Sequence, residues 1–202
     1  MRRTRIRAVR PSSRLLASAL LLLSACDGAD ADSGAPASEI TVPAGERADC
    51  LTEVWQSQSQ RDEDYDREHD RAEGGSISCG TRTSASQYRD AITALNQAAA
   101  SGDKAALLKQ IAYPLLYIDA AGESHTLEQP AVAARFAEIF DAPTLALLQR
   151  ADLADITVVP EQGGFFALGA VWLVVGRPGG RPRVFTVNHQ ALAEAAAAQQ
   201  AG

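Results

Sequence analysis

Phe165 to His189 reads FFALGAVWLVVGRPGGRPRVFTVNH and decides the fold class. Phe165 to Gly176 is a β-branched and aromatic run. Arg177-Pro178-Gly179-Gly180 is a turn, and Arg183 to His189 alternates apolar with polar residues. That pattern predicts two strands joined as a hairpin. Just upstream, Ile156 to Glu161 is another strand candidate, closed by the turn Gln162-Gly163-Gly164. Three consecutive strands at the C-terminal end predict an antiparallel sheet.

Working back from that sheet, the chain becomes helical. Thr83-Ser84-Ala85-Ser86 offers an N-cap, and Tyr88, Ile92, Leu95 and Ala99 recur on one helical face. Ser101-Gly102 stops this helix. Asp103 caps a second one, with Leu107, Leu108 and Ile111 inward and Pro114 closing it. Leu115 to Asp119 (LLYID) predicts a strand, turned at Ala120-Ala121-Gly122. Gln129-Pro130 opens a third helix carrying Val132, Phe136, Ile139 and Phe140, which Pro143 breaks before a short turn of helix to Arg150. The expected order is α-α-β-α-β-β-β, an α+β fold.

Three stretches carry a resemblance: Tyr113-Pro114-Leu115 entering the first strand, Glu138-Ile139-Phe140, and Gly169-Ala170-Val171-Trp172. Over residues 81–190 the chain resembles the nuclear-transport-factor-two-like, or cystatin-like, α+β superfamily. The resemblance implies a cone-shaped, curved antiparallel sheet packed on helices, with a pocket at its open end. In some enzymes of that superfamily an Asp or His there acts as general acid or base. Pocket candidates are Tyr113, Tyr117, Asp119, His125, Trp172, Asn188 and His189. An Asp beside a His is the pairing that proton transfer needs. Bland readings stand beside these. Asp119 suits a hairpin turn, His125 an exposed loop, and Trp172 a mid-strand core position. No catalytic residue is assigned on fold resemblance alone.

The first residues concern location. Arg2, Arg3, Arg5, Arg7, Arg10 and Arg14 precede an apolar run, Leu15 to Ala25 (LLASALLLLSA). As a helix that run reaches only about 16 Å, against a bilayer core of about 30 Å, so it reads as a signal-peptide core over residues 1–25. Leu23-Ser24-Ala25-Cys26 resembles the lipobox of bacterial lipoproteins. The resemblance implies cleavage before Cys26, acylation of that cysteine by chains such as palmitate, and anchoring in the envelope facing the periplasm. Asp27 leans toward inner-membrane retention, as in enteric bacteria. An ordinary cleaved signal with a chance cysteine is the alternative.

Of the 19 basic residues six lie before Cys26, where there is no acid. The remainder carries 13 bases against 25 acids, a net charge of −12. Such a polyanion lacks the Lys/Arg surface that nucleic acid requires. The 202 residues suffice for one domain with appendages. Residues 26–47, rich in Ala, Asp, Ser, Gly and Pro, predict a disordered tether of about 25 Å r.m.s. span.

Cys50 and Cys79 are left once Cys26 is lipidated. In an oxidising periplasm the pair reads as a disulfide, worth about 3.5 kcal/mol in the chain-entropy picture, with two buried thiols as the alternative. It would tie a polar helix, Leu51 to Ala72, to the main domain, within an extension spanning 48–80. Asp62, Asp64, Asp66, Asp70 and Glu73 fall at the ligand spacing of a calcium loop. Arg67 occupies the position that needs glycine, however, and a solvated charged helix is the default. The scattered histidines show no metal spacing, no Walker loop or nucleophile elbow occurs, and no cofactor is implied. Arg177, Arg181 and Arg183 form a basic turn, read as solvated. The tail, 191–202, reads as short helix or disorder.

These features lead to a lipid-anchored module binding an envelope protein or a small apolar ligand without chemistry. The alternatives are a small cofactor-free enzyme using Asp119 and His125, and an accessory or inhibitor subunit docking through the acidic helix at residues 61–73.

Overall fold

The computed structural model describes residues 44–201, which belong to one compact unit. The expected signal peptide, Cys26, Asp27 and most of the expected tether lie outside the described residues. Helix α1 (Ala44–Gln56) begins inside the range read as tether and buries Leu51, Val54 and Trp55.

The expected single helix from Leu51 to Ala72 is two. The chain leaves α1 at Gln56, and Asp62 starts α2 (Glu63–His69) by accepting the Tyr65 N–H. The linker Ser57-Gln58-Ser59-Gln60 has no apolar residue to carry a helical stripe across the gap. A two-stranded hairpin follows, β1 (Arg71–Ala72) and β2 (Gly75–Ser76), then the short helix α3 (Ile77–Thr81). Cys50 and Cys79 form the expected disulfide, which joins α1 to α3.

Helix α4 (Ala85–Ser101) is the expected one: Tyr88, Ile92, Leu95 and Ala99 are all buried. Asp103 caps α5 (Lys104–Leu108) through the Ala106 N–H. Here the sequence reading needs correcting, because Ile111 and Pro114 do not end a helix. Both belong to β3 (Ile111–Ile118), where Ile111 and Leu115 are buried and Pro114 is exposed. A hairpin strand not foreseen, β4 (Ser124–Leu127), pairs with β3. Three helices follow: α6 (Gln129–Ala134), α7 (Phe136–Ile139) and α8 (Ala142–Arg150). Pro143 sits in the first turn of α8, where its missing N–H costs nothing, so it starts a helix instead of breaking one.

The C-terminal strands are β5 (Thr157–Val159), β6 (Gly163–Phe166), β7 (Val171–Val174) and β8 (Arg183–Asn188). The run from Phe165 to Gly176 is therefore not one strand. A tight turn at Ala167–Gly169, with positive φ at all three residues, folds Phe166 back onto Val171. Its residues are apolar, so no polar turn signal announces it. Gly163 and Gly164 lie within β6 and not in a loop. A Cβ on Gly163 would clash with the Leu173 carbonyl oxygen, and one on Gly164 would meet Ile156. The tail forms a helix, α9 (His189–Ala201), with Ala191 and Ala195 buried.

The six strands form one sheet in the order β4-β3-β8-β7-β6-β5. It is mixed, which corrects the expectation of an antiparallel sheet: β3 and β8 run parallel, and the other neighbours are antiparallel. The parallel pair is separated in sequence by three helices and four strands, enough chain to return β8 to the centre. Strand alternation sorts the two faces. One row, Phe166, Val171, Val187 and Tyr117, is buried in the core that α4 and α8 complete. The adjacent row, Phe165, Trp172, Thr186 and Leu116, lies on the other face.

Candidate functional site

Tyr117, near the end of β3, and His189, the first residue of α9, meet at one end of the sheet. His189 Nδ1 lies 3.3 Å from the Tyr117 hydroxyl, and Nε2 lies 3.0 Å from the Ile139 carbonyl oxygen. A carbonyl only accepts, so Nε2 is placed to donate to it, and in that tautomer Nδ1 accepts from Tyr117. Burial raises the Tyr117 pKa, which keeps the phenol a donor. Thr144 Oγ1 (3.2 Å) and Asp141 Oδ1 (3.8 Å) stand beside the same Nε2. Asp141 caps α8 by accepting the Thr144 N–H at 3.0 Å. The His189 side chain keeps only 11% of its surface exposed.

His189 and Asp141 also line a groove of about 410 Å³ between α8 and α9. Its other walls are mainly apolar, including Pro143, Leu147, Leu192 and Ala195, and Arg150 supplies a positive charge. The volume lies within the range of small-molecule sites.

Asp119 and His125 form a second polar group on the β3–β4 hairpin. Asp119 Oδ1 accepts the N–H of Ala121 at 2.9 Å and of Glu123 at 3.0 Å. His125 Nε2 is 3.3 Å from Asp119 Oδ2. The backbone bond from Glu123, followed by the bond from His125, lowers the Asp119 pKa. The His125 ring stacks on Tyr117 with centroids 5.8 Å apart, while His189 meets the same ring edge-on at 5.1 Å. His125 is thus half-buried on a strand and not in a loop.

Four candidates from the sequence, Tyr117, Asp119, His125 and His189, are therefore neighbours. Three are not. Tyr113 donates to the Leu108 carbonyl at 3.2 Å, away from this end. Trp172 is half-buried on the opposite face against Phe165, so it is neither core nor pocket. Asn188 Oδ1 accepts the Ala191 N–H and serves the start of α9. Asp141, Thr144 and Arg150 were missed. The cap-and-proline signature Asp141-Ala142-Pro143 marked the helix start, but nothing local placed it against His189.

The arrangement offers His189 little freedom for proton transfer, since both ring nitrogens face internal partners. Asp119 and His125 are within hydrogen-bond reach, yet neither lines the groove, to which their hairpin contributes Ala120. The calcium-loop spacing dissolves on folding. Asp62 pairs with Arg89, Asp64 with Arg67, and Glu73 accepts from Thr157, while Asp66 and Asp70 are buried. The helix is therefore not uniformly solvated, and two of its acids are unavailable for docking. The chain matches no protein-family model, no curated protein and no solved structure.

Proposed function

We propose that this chain is a lipoprotein of the bacterial envelope, anchored through acylated Cys26 and facing the periplasm. Its folded head binds a small apolar ligand in the groove between α8 and α9 and performs no chemistry on it. The observation that carries the binding reading is the groove itself, mainly apolar yet bounded by His189, Asp141 and Arg150. The coarse α+β architecture, a sheet packed on α4 and α8, supports the fold reading, although the sheet is mixed where the resemblance implied an antiparallel one. Among the described residues no helix is long and apolar enough to cross a membrane, so attachment rests on the lipobox reading alone. Acyl chains would supply it, since two or more exceed what a single chain achieves. The enzyme alternative retains one favourable observation, the Asp119–His125 contact.

Titration with 1-anilinonaphthalene-8-sulfonate, an apolar anion suited to Arg150, tests the groove. Saturable fluorescence enhancement is expected, and Ala146→Trp, which fills the groove, should abolish it. Enhancement unchanged in the folded variant would sink the reading. Radiolabelled palmitate should enter the wild-type chain and not Cys26→Ala; equal labelling of the two would remove the anchor.

A further inference from the structure

Asp119, Glu123 and His125 sit on one hairpin, and a carboxylate oxygen of each acid and a ring nitrogen of the histidine lie within 4.8 Å of one another. From this juxtaposition we infer that the β3–β4 hairpin binds a divalent transition-metal ion of the zinc type. The donors would be Asp119 Oδ2, His125 Nε2 and the Glu123 carboxylate.

The donor set selects the class of ion. Calcium and magnesium take oxygen ligands, six or more for calcium, and an imidazole nitrogen does not suit them. Copper(I) asks for sulfur, which the hairpin lacks. One imidazole with two carboxylates suits zinc and its first-row neighbours, and three protein donors leave a coordination position for water. Two carboxylates also balance a divalent charge.

The surroundings orient the donors before any ion arrives. The N–H groups of Ala121 and Glu123 both hold Asp119 Oδ1, which turns Oδ2 toward His125. The His125 ring rests on Tyr117, whose hydroxyl is in turn bound to His189. Outer contacts of this kind fix ligand geometry and raise affinity. The nearby cation, Arg135, lies over the Tyr117 ring and forms two hydrogen bonds to Glu138, so its charge is matched. A ligating imidazole must turn a free lone pair to the ion, so a bound ion would replace the His125 Nε2–Asp119 Oδ2 contact. Glu123 is exposed and Asp119 and His125 are half-buried, which leaves the site open to solvent.

This inference is independent of the groove. Its test is titration of the untagged full chain in mild detergent with Zn²⁺, followed calorimetrically, and with Co²⁺, followed by visible absorption. One ion per chain is expected, with Ca²⁺ in excess failing to displace it. His125→Ala and Glu123→Gln should each weaken binding on the order of tenfold or more. The control His69→Ala, on α2, should leave it unchanged. Circular dichroism of each variant checks folding, and 1-anilinonaphthalene-8-sulfonate binding should persist throughout. Absence of stoichiometric binding would overturn the assignment. So would binding retained by the His125→Ala, Glu123→Gln double variant, or displacement by Ca²⁺.

Discussion

Two polar centres lie inside this protein, and they are built on opposite principles. In the cystine-tied extension, Asp66 and Asp70 are buried carboxylates surrounded by neutral donors. Asp66 accepts from the Trp55 indole at 2.8 Å and the Ser86 N–H at 2.7 Å. Asp70 accepts from the Ser78 N–H and from the hydroxyls of Ser76 and Ser78. At the end of the sheet, Tyr117, His125, Asp119 and His189 are ionisable groups facing one another beside a groove. The first centre has every acceptor filled by groups that do not titrate near neutrality, and it ties α1, α2, α3 and α4 together. The second holds ionisable groups in contact with one another, and part of it reaches solvent. The residues are similar, but the partners differ, and one centre is closed by its donors while the other stays open to solvent.

The largest expected difference is in stability. Asp66→Ala strands the Trp55 and Ser86 donors in a buried site, at a cost of about 3 kcal/mol. Urea unfolding should show it, and a loss below about 1 kcal/mol would mean the centre is not structural. His189→Leu should cost less, about 2 kcal/mol, since it leaves chiefly the Tyr117 hydroxyl without its partner. It should also alter probe binding in the groove, which Asp66→Ala, if still folded, should not. Equal effects of both variants on the groove would erase the distinction.

The smallest effect concerns pH. Burial raises the Asp70 pKa, outweighing the hydrogen bonds that lower it. The folded state therefore binds the proton more readily than the unfolded chain. Asp70 then contributes stability below the unfolded carboxyl's pKa, and that contribution is lost as pH rises through the raised folded value. Unfolding free energies of wild type and Asp70→Asn, compared across acidic pH, should diverge in this sense. An opposite slope would show that its donors prevail over burial.

The acidic run from Asp62 to Glu73 shows where sequence reading stopped. Its spacing fitted either a calcium loop or a solvated helix, and the fold keeps a helix only over Glu63–His69, with Asp66 and Asp70 buried. Helical period says which residues share a face, but not that α4 will cover Asp66 or that α3 will wrap Asp70. The Ala167–Gly169 turn was hidden for a related reason: Leu168 takes a left-handed conformation, and the residue is 64% exposed although it is apolar. Composition carries no trace of that. The convergence of Tyr117, Asp119, His125 and His189 was listed but not located, because only the pairing of β3 with β8 brings residue 117 to residue 189.

What the sequence determined by itself is local. It includes the stripe of α4, the cap at Asp103, the strand character of 183–188 and the cystine of Cys50 and Cys79. Interactions within a turn or two of chain, or the pairing of two available thiols, decide these, so their signals survive in the order of residues. The parallel contact of β3 and β8, the burial of two aspartates and the groove against His189 were decided only by tertiary structure. Each depends on which distant segment excludes water from a given side chain, and short-range patterns do not encode that.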